Sequence, residues 1–119
     1  MTSYRKRRVE ELLLQSIAEI VVLKIKDPRV SGVTITEVAM SADFKSARVY
    51  FGCMGDNRRQ DHQRGLESAE PFLRKQLRES LDLKYIPHLS FHYDTAFDNS
   101  MRIHTILREL KASESDANE

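Results

Sequence analysis

The sequence lacks features that define whole classes of proteins. It has no tryptophan and a single cysteine, Cys53, which excludes an intramolecular disulfide framework and suits a reducing compartment. No apolar run approaches the roughly 18 residues of a membrane span. The basic first residues are followed by an amphipathic stretch that contains Glu10, Glu11 and Glu19, which is not typical of a signal or transit peptide. We therefore expect a mature, soluble cytoplasmic protein without a membrane partner.

Net charge is also nearly absent, at +1, but its distribution is uneven. Residues 1–60 contain 11 Lys and Arg against 7 Asp and Glu, whereas residues 111–119 contain one lysine against three acids. A basic N-terminal half is typical of proteins that bind anions such as nucleic-acid phosphates. The length and composition predict one domain over residues 1–112 and a disordered acidic tail over residues 113–119.

Hydrophobic periodicity predicts the order of helices and strands. A stripe at three- and four-residue steps predicts a first helix from Arg5 to Lys26, ended by Asp27-Pro28; its apolar members are Val9, Leu12, Leu13, Ile17, Ile20 and Val21. Alternation predicts strands at residues 33–38, 47–53 and 89–93, the first two as an antiparallel hairpin. Asn99 or Ser100 is expected to cap a last helix, whose stripe is Met101, Ile103, Ile106, Leu107 and Leu110.

Pro71 interrupts a good helical pattern over residues 62–82, in which Leu66, Leu73, Leu77 and Leu81 share a stripe. Proline inside a helix deletes a backbone donor and clashes with the preceding turn, at a cost of roughly 3 kcal/mol. It is favourable at the first position of a new helix. The sequence therefore predicts two helices with a sharp joint at residues 69–71.

The resulting order predicts an α+β fold with helices on one face of a three-stranded sheet. Such an αββααβ arrangement is the type II KH topology. KH modules usually clamp a nucleic-acid backbone with a GXXG loop between paired helices. This chain has no GXXG loop, and its joint is tight.

Several short segments, in this order and spacing, resemble the ribosome-binding factor A family over roughly residues 4–108. The segments that carry the resemblance are Arg8-Val9, Asp27-Pro28-Arg29, Val33-Thr34-Ile35-Thr36, Val38, Ser41, Asp43-Phe44, Ala47-Arg48-Val49-Tyr50, Phe72-Leu73-Arg74 and residues 87–94.

The resemblance implies a type II KH-like fold in which an Ala-x-Gly kink replaces the GXXG loop. It implies a non-enzymatic factor that binds the free small (30S) ribosomal subunit through 16S rRNA and assists its late maturation and rRNA processing. The kink motif in this chain is Ala69, Glu70 and Pro71, with proline at the family's glycine position. Proline removes the close backbone approach and the donor that glycine offers.

Basic residues are the candidates for RNA contact, since phosphates dominate nucleic-acid affinity. The alternative is an ordinary charged surface, and Arg29 can instead cap carbonyls of the first helix. We predict that RNA is bound by Arg5, Lys6, Arg7, Arg8, Arg29, Arg58, Arg59, Arg74, Lys75, Arg78 and Lys84.

Other chemistries remain as alternatives. His88 and His92, with His104 or Cys53, can be imagined as the metal site of a small enzyme. A protein-interaction module can dock a partner on a strand edge or on the last helix. Most of the aromatic residues Tyr50, Phe51, Phe72, Phe91 and Tyr93 are expected in the core. We expect a monomer with no catalytic residue, cofactor, metal or small-molecule substrate.

Overall fold

Two long helices and three strands form the domain in a computed structural model that describes residues 4–53, 58–96 and 106–110. The elements are α1 (Tyr4–Leu23), β1 (Val33–Met40), β2 (Ser46–Cys53), α2 (Arg59–Ser80) and β3 (His88–Tyr93), with a 3-10 turn at Pro28–Val30. The strand order is β1-β2-β3, with β1 antiparallel and β3 parallel to β2. The predicted α+β, type II KH-like class and the predicted hairpin are thereby confirmed.

Both helices pack on one face of the sheet, because each has an apolar stripe that needs a partner. From α1 the buried residues are Leu13, Ile17, Ile20 and Val21. Leu12 was predicted in this stripe but is 41% exposed. The stripe is therefore narrower than the sequence pattern indicates, and Leu12 lies at its margin.

A β-bulge in β1 changes which residues face the core. Ile35 pairs with Phe51 and Glu37 pairs with Tyr50, so Thr36 is the extra residue. Before the bulge Val33 and Ile35 are buried, and after it Val38 and Met40 are buried. The extra residue thus moves the buried set from odd to even positions.

The predicted break at Pro71 is wrong. Residues 59–80 form one continuous α-helix, and Pro71 lies inside it. Leu66, Leu73 and Leu77 are fully buried on both sides of Pro71. Burial contributes about 1.5–3 kcal/mol for each leucine. The sum for the three leucines exceeds the cost of a proline inside a helix, which is roughly 3 kcal/mol. Pro71 is itself exposed, so water can solvate the carbonyl that its ring leaves without a donor.

Two residues fix the start of α2 against the 3-10 turn. His62 is fully buried, and its Nδ1 donates to the Arg29 carbonyl oxygen. A Cβ placed on Gly65 would lie 2.8 Å from the Val30 Cγ2 and 2.9 Å from the Arg29 Cβ. Helix and turn therefore meet at a distance that only glycine permits.

Gly65→Ala tests this close approach. Alanine gains helix propensity of about 1 kcal/mol, but overpacking costs about 1–3 kcal/mol, so we expect a net loss of about 1 kcal/mol. Chemical denaturation measures the free energy of unfolding. Ser68→Ala, at an exposed position in the same helix, is the control and should stay within about 0.5 kcal/mol of the original chain. A Gly65→Ala protein more stable than the original would contradict the close approach.

Side chains from the helices bind main-chain groups at both outer strands. At β1, the Met40 N–H donates to Glu10 Oε2 at 2.8 Å. At β3, the Leu89 N–H donates to Glu70 Oε1 at 3.4 Å, and Gln63 Nε2 donates to the Phe91 carbonyl at 2.6 Å. These bonds occupy backbone groups that would otherwise pair with another strand.

The C-terminal predictions are only partly covered by the described residues. Residues 95–96 and 106–110 are helical, and Ile106, Leu107 and Leu110 are exposed. The predicted cap at Asn99 or Ser100, the apolar Met101 and Ile103, and the tail at residues 113–119 lie outside the described residues. No helix among the described residues is long and apolar enough to cross a membrane.

Candidate nucleic-acid interface

Three segments that are distant in sequence meet at one end of the domain, which we call the basic end. They are the first turns of α1, the β1–β2 turn and the loop between α2 and β3. The His88 N–H donates to the Lys45 carbonyl oxygen at 3.0 Å, which ties the turn to the start of β3. The three segments and the residues beside them line a groove of about 220 Å³. The lining residues are Arg5, Val9, Met40, Phe44, Leu83, Lys84, Tyr85 and Pro87.

The β1–β2 turn is held by its own polar side chains. Asp43 Oδ1 accepts from Ser41 Oγ at 2.7 Å and from the Lys45 N–H at 3.0 Å. The Ser41 hydrogen bond, followed by the Lys45 N–H, lowers the pKa of the Asp43 carboxyl below its usual value. Phe44 has φ of 61°, in the left-handed region that a bulky residue rarely adopts. The turn therefore holds Phe44 in a strained conformation at the groove.

Cations and aromatic rings alternate across the basic end. The Arg5 guanidinium lies 5.8 Å from the Phe44 ring centroid, and Lys84 Nζ lies 5.4 Å from that of Tyr85, a side chain 72% exposed. Neither cation has an ion pair with another described residue. Such an arrangement suits RNA, because free cations bind phosphates and exposed rings stack on bases.

The other predicted residues of α1 fall into two groups. Arg7 and Arg8 are exposed and have no ion pair with a described residue, and the Arg8 guanidinium lies 5.7 Å from the ring centroid of Tyr4. Lys6 is half-buried and already interacts with a neighbouring group. Arg7 and Arg8 therefore extend the free cationic surface along the first turns of α1.

Arg29 lies elsewhere and is already paired. Its guanidinium binds the Asp27 carboxylate through Nε at 3.0 Å and Nη2 at 2.7 Å. Hydrogen bonds from Arg29 lower the pKa of Asp27, and the same carboxylate raises the pKa of Arg29. The guanidinium N–H groups with which Arg29 could bind a phosphate are therefore already used by Asp27, two residues away.

Arg58 and Arg59 also lie at the far end from Arg5. Arg58 Nε lies 3.6 Å from Asp61 Oδ2. The Arg59 guanidinium lies 3.7 Å from the ring centroid of Tyr93. The first interaction lies within the first turn of α2 and the second joins α2 to β3, so the predicted residues do not form one cluster.

Arg74 and the predicted kink motif serve the packing of α2. Arg74 Nε lies 3.5 Å from Glu70 Oε1, and its Nη2 donates to the Ile86 carbonyl oxygen at 3.2 Å. Glu70 is held between Arg74 and the Leu89 N–H, Ala69 packs against the core, and Pro71 is exposed. Arg74 therefore anchors the loop that carries Lys84.

Lys75 and Arg78 lie on the C-terminal half of α2. Both are exposed, and neither has an ion pair with another described residue. Their predicted contact with RNA phosphates stays a prediction.

The predicted core aromatics separate by burial. Phe51 and Phe91 are buried, whereas Tyr50 and Tyr93 are half-buried. Phe72 is 39% exposed and is therefore not part of the core. It follows exposed Pro71 on the outer side of α2, away from the leucine stripe.

The imagined histidine site does not assemble. His88 and His92 are exposed on β3, whereas Cys53 is buried at the end of β2. In the part of the chain that the structure describes, no group of three His, Cys, Asp or Glu side chains could hold a metal ion. His104 lies outside the described residues.

Phe44, Lys45 and Tyr85 belong to the basic end but were absent from the predicted site. An aromatic ring in a polar turn at Phe44, and a Lys84-Tyr85 pair in a connecting loop, are weak signals that exposed apolar surface is used for binding.

The fold defines a small α+β domain. One end of it combines basic and aromatic residues, as surfaces that bind nucleic acids commonly do. The family model described as "Ribosome-binding factor A" matches residues 5–107. The chain belongs to the ribosome-binding factor A family.

Relatives and solved structures agree with this assignment. The chain is 39% identical to ribosome-binding factor A of Syntrophobacter fumaroxidans, over 92% of this chain and 97% of that protein. It is 40% identical to the protein of Geotalea uraniireducens, over 92% and 91%. The crystal structure of ribosome-binding factor A from Thermus thermophilus is similar with a TM-score of 0.68 and 26% identity, over 74% of this chain and 93% of that one. A Thermus thermophilus homology model fitted into a cryo-EM map of a 30S complex has a TM-score of 0.63 and 26% identity, over 74% and 93%.

Proposed function

We propose that this protein binds the free small ribosomal subunit through 16S rRNA and assists its late maturation and rRNA processing. The observation that carries the proposal is the set of cations without ion pairs to described residues, beside the half-buried Phe44 and exposed Tyr85 rings, at the basic end of a chain of this family. The similar Thermus thermophilus protein has been fitted into a map of a 30S complex, which supports the same partner here. In this proposal the protein is a cytoplasmic monomer and not an enzyme.

The mechanism that we propose is electrostatic and conformational. Arg5, Arg8 and Lys84 neutralise phosphates and so position the domain, while reading little base sequence. The two helices and the sheet give a rigid platform, because α2 is one continuous helix locked at Gly65. A rigid surface favours one conformation of an immature subunit by its higher affinity for that conformation.

A protein-docking function through a strand edge is less well supported. Glu10, Gln63 and Glu70 already bind main-chain groups at the outer strands. A partner strand would have to displace these side chains before it could pair.

Co-sedimentation with purified small subunits at several salt concentrations tests the proposal. If about four phosphates are neutralised, affinity should fall about 100-fold between about 50 and 200 mM salt. Large subunits are the control and should bind weakly. Tight binding that does not change with salt would contradict an RNA partner and favour an apolar protein contact.

A further inference from the structure

The sheet face away from the helices is open and polar. Glu37, Arg48, Ser90 and His92 are all exposed on it, and Tyr50 is half-buried among them. In the strand register Tyr50 lies between Glu37 and His92, and Arg48 lies between Ala39 and Ser90. This face is separate from the basic end and takes no part in the groove there.

Tyr50 is held in place by its neighbour on β3. The ring centroids of Tyr50 and His92 are 5.7 Å apart, with the planes tilted by 40°. His92 Nε2 lies 2.9 Å from Ser90 Oγ, which fixes the imidazole in turn. A ring that is already positioned loses little conformational entropy when a ligand stacks on it.

The surroundings of Tyr50 suit a flat, polar ligand. Ala39 and Ser90 are small, so the row beside Tyr50 rises little above the sheet. Arg48 in that row has no ion pair with another described residue and can meet a phosphate. Glu37, on the other side of Tyr50, offers a carboxylate that accepts hydrogen bonds from the amino group of a base.

We propose that this outer face binds one unpaired RNA base, stacked on Tyr50, with the adjoining phosphate at Arg48. The proposal rests on the proposed function for its choice of RNA as the partner, but it uses a different surface. A stacking ring beside a free guanidinium on an exposed sheet is the combination by which single-stranded RNA is bound. Among the described residues, the three strands place no large aliphatic side chain on this face of the kind that a protein partner would bury.

Binding of an oligoadenylate RNA of about 12 nucleotides, compared with an abasic oligomer of the same length, tests the proposal. Tyr50→Ala should weaken oligoadenylate binding about 5- to 100-fold, the reduction expected for one stacking ring, and leave binding of the abasic oligomer unchanged. Tyr50→Phe is the matched control and should keep the affinity of the original chain, because it keeps the ring.

A second measurement does not depend on the stability of the alanine variant. The chain has no tryptophan, so Tyr50→Trp places a single tryptophan, whose emission can be followed by itself, on the outer face. Oligoadenylate should quench its emission, and the abasic oligomer should not. Absence of quenching, undetectable binding of oligoadenylate by the original chain, or equal weakening of both oligomers on Tyr50→Ala would overturn the base-binding site.

Failure of this site is distinguishable from failure of the proposed function. If small subunits bind with the expected salt dependence while the tyrosine variants behave as the original chain, only the base-binding site is wrong. If small subunits do not bind the original chain at all, the proposed function itself is wrong.

Discussion

Reversing the charge of Arg5 and Lys84 together should leave the domain folded and weaken its binding to small ribosomal subunits by about 100-fold or more at about 0.1 M salt. Both cations line the groove of the basic end, and neither pairs with a carboxylate among the described residues. Exposed charges of this kind contribute little to stability, so Arg5→Glu with Lys84→Glu should melt near the original temperature. Co-sedimentation should also show a log–log salt dependence flatter by about 0.7–0.9 for each phosphate that the protein no longer neutralises.

A control with the same change of charge separates a local interaction from a general effect. Lys26→Glu with Arg64→Glu reverses two exposed cations that lie outside the basic end. This control should retain most of the affinity. If both pairs weaken binding equally, overall charge attracts the subunit and the basic end is not its site.

Pro71→Ala should stabilise the protein by about 2 kcal/mol. Alanine restores an N–H donor for the Glu67 carbonyl and removes the clash of the proline ring, a gain of about 3 kcal/mol. Alanine also raises the conformational entropy of the unfolded chain, which offsets about 0.4–1 kcal/mol of this gain in stability. Because Pro71 is exposed, the substitution removes little buried packing. The melting temperature should rise by about 8 °C, at roughly 4 °C for each kcal/mol.

Lys75→Ala, another exposed position in the same helix, is the control for Pro71→Ala. Its stability should change by less than about 0.5 kcal/mol. An unchanged or lower melting temperature for Pro71→Ala would contradict the free-energy cost that we assign to a proline inside α2.

The sheet was predictable because its signals are local and repeated. Alternation located all three strands, whereas the parallel pairing of β3 with β2 comes from the structure. The predicted break at Pro71 was wrong because that prediction considers only the local free-energy cost of a proline inside a helix. The compensating burial of Leu66, Leu73 and Leu77 depends on residues far away in sequence.

The residues of the candidate site also fall into those whose interactions could be predicted from the sequence and those whose interactions could not. Arg29, Arg58 and Arg74 each pair with a carboxylate two to four residues away, so their spacing to Asp27, Asp61 and Glu70 was a readable signal. The meeting of Arg5 with Phe44 and Lys84 was not readable, because about 40 residues separate each segment from the next and only the folded sheet brings them together.

The helix side chains that bind the main chain of the outer strands are synthesised before the strand residues that they bind. Chains are synthesised from the N-terminus. Glu10 in α1 is therefore made before Met40, and Gln63 and Glu70 in α2 are made before Leu89 and Phe91. Each edge strand emerges when the helix that shields it already exists, so a nascent chain need not expose a bare edge to its neighbours on a polysome.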